Sequence, residues 1–320
     1  MKTINLDAIQ QAQKTLKGVS KKTPVARSES LSEKCEGNVY LKLENQQHTG
    51  TFKMRGAFNR MSQLSFQERE RGVITASSGN HAQGVAYAAQ QLDISATIVV
   101  PDEVSKAKLE KLQKYDVEIV LGGGFDEVEA KAREMAKTQG RAYISPYNDY
   151  SVIAGQGTIG LEIIDEIEHF DMIVVPVGGG GLIAGIAVAV KSLRPDTEVI
   201  GVQTEGSSTM YWSWKAGEVL QVEETDTLAE AFLGGVEPGS MTLDVCMEYV
   251  DDIVLVDEET VADSIRLLWS EQKQVIEGAG ATSISPLLKS PERFYDQTVV
   301  CVVSGGNIEH SLFNRIVGGT

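Results

Sequence analysis

Short apolar runs that do not alternate with polar residues recur along the chain, each followed by a stretch of helical periodicity. They read as strands at Val73–Ala76, Ala96–Val100, Val117–Leu121, Met172–Val177, Val199–Gln203, Ile253–Val256 and Thr298–Val303. The helical stretches are Gln83–Leu92, Val104–Tyr115, Phe125–Thr138, Thr158–His169, Leu182–Leu193, Glu258–Glu271 and Ala279–Leu288. A strand apolar on both sides must be covered on both faces, and strand–helix alternation brings parallel strands into one sheet. The expected fold class is therefore α/β, with two parallel-rich open sheet domains. Pro101 and Pro146 punctuate a smaller αβ unit over 66–147, inserted in a larger domain formed by 1–65 and 148–320. A ligand belongs in the cleft between them, at the C-terminal ends of strands.

The 320 residues suffice for two such units. The formal charge is −16, from 29 Lys and Arg against 45 Asp and Glu, and no basic run is present, which argues against a nucleic-acid partner. Met1–Leu6 carries no signal-peptide core, and no apolar stretch approaches membrane-spanning length. Cys35, Cys246 and Cys301 are odd in number and far apart, as buried or incidental thiols in a reducing compartment would be. His48, His81, His169 and His310 lack metal-ligand spacing, so no metal is expected. The default is a soluble cytoplasmic protein.

The apolar run Met172–Val177 leads into Gly178-Gly179-Gly180-Gly181 and then into the helical stretch opening at Leu182. Glycines between a strand and a helix N-terminus expose successive backbone N–H groups at the positive end of the helix dipole, which suits a phosphate. A ligand-free tight turn accounts for two glycines, hardly for four. The spacing fits neither a dinucleotide fingerprint nor a P-loop. A formal G-x-G-x-x-G at Gly155, Gly157 and Gly160 has no strand just before it and no acid about twenty residues on, so it reads as a close-packed helix start. Val73–Ala76 ends in Ser77-Ser78-Gly79-Asn80-His81, which suits a substrate carboxylate and equally an ordinary capped helix. Thr298–Val303 ends in Ser304-Gly305-Gly306-Asn307, either a turn serine or a hydroxyl placed to donate to a ring nitrogen. Lys53 follows Thr49-Gly50-Thr51-Phe52 and opens a helix through Ala57-Phe58-Asn59. Held against apolar surface, its amine would lose charge and become competent to form an imine with an aldehyde cofactor. Alone it is one of many lysines; the glycine-rich segments give it a context.

In order along nearly the whole chain, Leu41–Asn45, Thr51–Ala57, Ser77–Gly84, Val152–Thr158, Val177–Leu182 and Ser304–Asn307 resemble segments of the fold-type II pyridoxal-phosphate enzymes. Within that group the chain is most similar to the threonine/serine dehydratases (ammonia-lyases) and serine racemases. The resemblance implies that Lys53 forms the imine to pyridoxal 5′-phosphate and later removes the α-proton. It implies that Phe52 packs on the cofactor, that Asn80 bonds its 3′-oxygen, and that Gly178, Gly179, Gly180, Gly181 and Leu182 hold its phosphate. Ser304 would meet the pyridine nitrogen, and Ser77, Ser78, Asn80 and His81 would line the substrate-carboxylate loop. A neutral hydroxyl at the ring nitrogen makes a weaker electron sink than a carboxylate would, which favours prompt loss of a β-leaving group. The implied activity is β-elimination from L-threonine or L-serine to a 2-oxo acid and ammonia, in a homodimer or homotetramer.

Departures from the pattern keep other activities in view. Ser78 stands where many dehydratases have Ala, and a serine there serves racemases as the second acid/base. Tyr147 is the aromatic typical of catabolic dehydratases, and Gln203 and Thr209 replace the carboxylates of the racemases' divalent-metal site. Glu205 nearby reads as a solvated acid. Ala231 stands where glycine is usual and would reshape the pocket, as Trp212 and Trp214 would if they pack there. The end at Thr320 leaves no room for a regulatory extension, so feedback inhibition is not expected. The alternatives are an amino-acid racemase, a dehydratase for phenylserine or hydroxyaspartate, or a non-catalytic binding protein that keeps the phosphate loop, which an intact Lys53 disfavours.

Overall fold

The structure is a computed structural model that describes residues 4–124 and 127–318. Its strands are β1 Val25–Arg27, β2 Asn38–Leu43, β3 Val73–Ala76, β4 Ala96–Val100, β5 Glu118–Leu121, β6 Ala142–Tyr143, β7 Met172–Pro176, β8 Glu198–Thr204, β9 Asp252–Val256 and β10 Thr298–Val303. They form a six-stranded sheet ordered β1-β2-β10-β7-β8-β9 and a four-stranded sheet ordered β5-β4-β3-β6. Every pairing is parallel except β1 with β2. Every residue of β4 is buried, as is β10 after its first residue, because helices cover both faces.

The β-branched runs mark the strands well; β1, β2 and β6 are the additions. β2 was hidden by Lys42, a charge in its middle that is fully buried and paired with Glu162 at 2.7 Å. The expected helix over Ala279–Leu288 is broken into Gly278–Ala281 and Ser285–Lys289, since Pro286 has no N–H to offer and is tolerated only in a first turn. The first residues of the helix expected at Phe125 lie outside the described residues; the helix observed there is Val128–Gln139.

Gly155, Gly157 and Gly160 correct the reading of a helix start. The helix runs Tyr150–Glu166, capped by Asp149, and carries all three inside it. The close packing is real: a methyl at Gly155 would lie 2.7 Å from the Arg55 carbonyl oxygen, and one at Gly157 the same distance from that of Gly185. Those contacts seat the helices Lys53–Ser62 and Gly181–Leu193 against one scaffold. Arg55 adds a buried fork, bonding both oxygens of Glu44 at 2.8 and 2.9 Å and both of Glu162 at 2.6 and 3.0 Å. A planar guanidinium bidentate to two carboxylates fixes direction as well as distance. The start of the Lys53 helix is thus tied to the large sheet. Among the described residues no helix is long and apolar enough to cross a membrane.

Candidate active site

Lys53 is the first residue of its helix, and the loop before it is pinned to the end of β10. Thr51 bridges Gly305, the Phe52 N–H donates to the Ser304 carbonyl at 3.2 Å, and the Gly306 N–H donates to the Gly50 carbonyl at 2.9 Å. Gly50 sits at φ 72°, a conformation that favours glycine. The Lys53 amine donates to the Pro146 carbonyl at 2.9 Å and lies 5.2 Å from the Phe52 ring centroid. Burial pulls the amine down to about 8, with the Glu277 carboxyl pulling the other way.

The turn after β7 packs under Tyr147. A methyl at Gly179 would sit 2.6 Å from the Tyr147 ring, and one at Gly181 2.9 Å from the Tyr147 Cα. Gly178 faces Phe232 and Gly180 lies at φ 86°. Thr242 Oγ1 donates to the Gly179 carbonyl at 2.7 Å, holding the turn from outside. The N–H groups of Gly178, Gly179, Gly180, Gly181 and Leu182 find no protein acceptor among the described residues. Consecutive free donors at a helix N-terminus fit a phosphate dianion.

After β3 the Ser77 hydroxyl accepts from the Gly79 N–H at 3.1 Å, shaping the turn, and the helix Asn80–Leu92 begins. The N–H groups of Ser78, Asn80 and His81 have no protein acceptor among the described residues, so this turn also presents donors. Gly84 lets this helix approach the other: a methyl there would lie 3.0 Å from the Lys53 carbonyl carbon. The His81 side chain does not join the loop's donors. It is buried with Nε2 donating to the Ile144 carbonyl at 3.0 Å, and burial pulls it down to about 3, with Lys53 adding to the effect. A neutral, spent imidazole holds the loop to its neighbour and offers a carboxylate only its backbone. Ser304 is 3% exposed, and its hydroxyl has no protein partner among the described residues.

Sequence reasoning missed Glu277, Pro146 and Thr242 as parts of this site, and it left Asn307 without a role. The Glu277 carboxyl accepts twice, from Asn80 Nδ2 at 2.7 Å and from the Asn307 N–H at 3.1 Å, while its backbone N–H donates to the Gly305 carbonyl at 3.1 Å. Burial pushes its carboxyl up to about 7, against those two hydrogen bonds and Lys111. Its signal was a lone acid at the edge of an apolar and small-residue run, Val275-Ile276-Glu277-Gly278-Ala279-Gly280-Ala281. Near the site, Gln203 is committed to the Tyr211 N–H at 2.7 Å.

The profile of the family described as pyridoxal-phosphate dependent enzyme matches residues 16–305. Over 315 residues the chain is 45% identical to the L-threonine ammonia-lyase of Thermotoga maritima, covering 98% of this chain and 78% of that protein. Threonine deaminase isoform 2 of Solanum lycopersicum, in its processed form, superposes with a TM-score of 0.92 at 34% identity, covering 99% of this chain and 90% of that one. Maize serine racemase superposes with a TM-score of 0.91 at 30% identity, covering 97% and 96%.

Proposed function

The chain belongs to the pyridoxal-phosphate dependent enzymes and is a carbon–nitrogen lyase of the threonine ammonia-lyase type, and from that premise we propose how its own residues convert L-threonine and L-serine to a 2-oxo acid and ammonia. The observation that carries the reading is the Lys53 amine, lowered to about 8 and set among the glycine turn, the Ser77–His81 turn and Ser304. Pyridoxal 5′-phosphate, when bound, supplies an aldehyde carbon and an electron-accepting ring.

With the cofactor bound, Lys53 is the residue that would hold its aldehyde carbon, and its amine, once free, would take the proton from the substrate α-carbon. An amine near 8 has a substantial neutral fraction at physiological pH, as both roles need. The N–H groups from Gly178 to Leu182 hold the phosphate, and Phe52 borders the ring. Ser304 would donate to the ring nitrogen, a neutral partner that makes the bound ring a weaker electron sink and so favours loss of the protonated β-hydroxyl as water. Ser77, Ser78, Asn80 and the His81 N–H orient the substrate carboxylate, and Asn80 also bonds the ring hydroxyl oxygen. Water then hydrolyses the released enamine's imine tautomer, giving 2-oxobutanoate from threonine or pyruvate from serine.

The two sheets support a division into a small domain, 66–147, inserted between 1–65 and 148–320, with the cofactor between them. A homodimer or homotetramer in the cytoplasm completes the proposal. Borohydride reduction of purified enzyme followed by peptide mass analysis tests its centre. The pyridoxyl adduct is expected on Lys53, together with 2-oxo acid release from L-threonine; an adduct on another lysine sinks the assignment.

A further inference from the structure

Asn80 is held on two sides. Its Nδ2 donates to Glu277 Oε1 at 2.7 Å, and its Oδ1 accepts from Asn307 Nδ2 at 2.8 Å. Asn307 is itself fixed, its Nδ2 donating to the Thr49 carbonyl at 2.9 Å and its N–H to Glu277 Oε2 at 3.1 Å. Oε2 takes the Asn307 N–H and Oε1 faces the Asn80 amide, so in its ionised form Glu277 decides which edge of that amide is N–H and which is oxygen. A methyl at Gly305 would lie 2.6 Å from Glu277 Oε1, so glycine in the Ser304 turn makes room for the carboxyl.

Resting on the activity proposed above, we propose that Glu277 is a positioning residue: it locks the direction of the Asn80 amide and thereby sets the hydrogen bond that Asn80 gives to the cofactor's ring oxygen. A buried carboxyl with no ion pair among the described residues is costly to retain for packing alone. The charged groups that act on it are Lys53, Lys111 and Glu230, from three different elements. Its direct bonds go to Asn80 and Asn307. Replacement by glutamine keeps the shape but turns one acceptor into a donor, which faces Asn80 or the Asn307 N–H with the wrong sign. The Asn80 amide must then flip or lose its partner.

The test is uptake of pyridoxal 5′-phosphate by the cofactor-free protein, followed by quenching of its tryptophan fluorescence. Glu277→Gln and Asn80→Ala should each weaken the affinity about tenfold, the scale of one buried hydrogen bond. The double variant should be no worse than about the weaker single, because both act through one amide. In the loaded enzyme, Glu277→Gln should also move the pH midpoint of the visible absorption band. Losses that multiply in the double variant, or wild-type affinity and an unmoved midpoint in Glu277→Gln, overturn the proposal. If Glu277→Gln folds poorly, Asn307→Ala removes the clamp from its other side, and wild-type affinity there overturns it as well. A wild-type chain that takes up no cofactor sinks the lyase reading instead, and this inference with it.

Discussion

Lys53 titrates out of its ordinary place, and that has a measurable consequence for the cofactor-free chain. Unfolded, the amine keeps its ordinary value of 10.5; folded, burial brings it to about 8. Between those values the unfolded state binds more protons, so native stability rises with pH across the window. Urea unfolding at about pH 8 and 10 should therefore show wild type gaining on Lys53→Met. A constant difference between the two would mean the amine is not lowered by folding. Ser304→Ala should leave the glycine turn intact yet weaken cofactor binding, by roughly 0.5–3 kcal/mol for a lost hydrogen bond. Equal cofactor affinity and turnover in wild type and variant would show that the hydroxyl does not reach the ring. Ser78→Ala should keep substantial 2-oxo acid release from the L-substrate while suppressing any D-amino acid formation or use, because Lys53 alone serves the L-face. Wild type converting L-serine to D-serine faster than to pyruvate would overturn that assignment. Ser78 and Ser304 stood out in the sequence because each follows a strand in a glycine-containing turn, and Lys53 because it opens a helix just after Gly50. Glu277 did not. Its two acceptors matter only through Asn80 and Asn307, distant in sequence, and no local pattern marks such a contact.

At the scale of the element, the glycine turn owes its shape to what lies across from it as well as to its own flexibility. Gly181 has no positive φ, yet a methyl there meets the Tyr147 backbone, which cannot rotate away. Gly181→Ala should cost about 1–3 kcal/mol of stability, the usual range for overpacking, and reduce cofactor affinity more than Ser304→Ala does. A fully stable variant with normal affinity would show that Tyr147 has room to yield. Legibility of elements followed burial. β3, β4 and β10 have the bounds expected because uninterrupted β-branched runs state them without ambiguity. β2 was missed because Lys42 reads as a surface charge until Glu162, far along the chain, neutralises it. The helix Tyr150–Glu166 began earlier than expected because glycines, poor helix formers alone, were needed there for close approach to Arg55 and Gly185.

Across the whole molecule, elements around the smaller sheet reach the segment 230–240 through charged contacts. Lys108 pairs with Glu230 at 3.1 Å and Arg133 with Glu237 at 2.7 Å, while the Tyr147 hydroxyl accepts from the Glu237 N–H at 2.8 Å. Exposed pairs of this kind contribute about 0.2–1 kcal/mol each and weaken as salt rises. Lys108→Ala with Arg133→Ala should raise KM for threonine by about two- to tenfold at low salt, with the difference shrinking toward 1 M salt. An unchanged KM would mean these pairs do not help the two units meet over the substrate. The alternation of strands and helices made two parallel sheets legible; these cross-contacts were not, since they join side chains on surfaces that sequence shows only as polar.

Helices begin at Lys53, Asn80 and Gly181, and all three N-termini open on the one site. On a chain of net charge −16, the region proposed to receive a phosphate and a carboxylate is polarised by peptide dipoles at three helix starts. The same field disfavours a protonated amine on Lys53, acting in the same direction as the burial that lowers it to about 8. Oriented peptide groups beside a buried site are shielded little by mobile ions. Brine that loosens the rim should therefore leave the grip on the phosphate almost untouched, and a yellow protein in strong salt would be its visible sign.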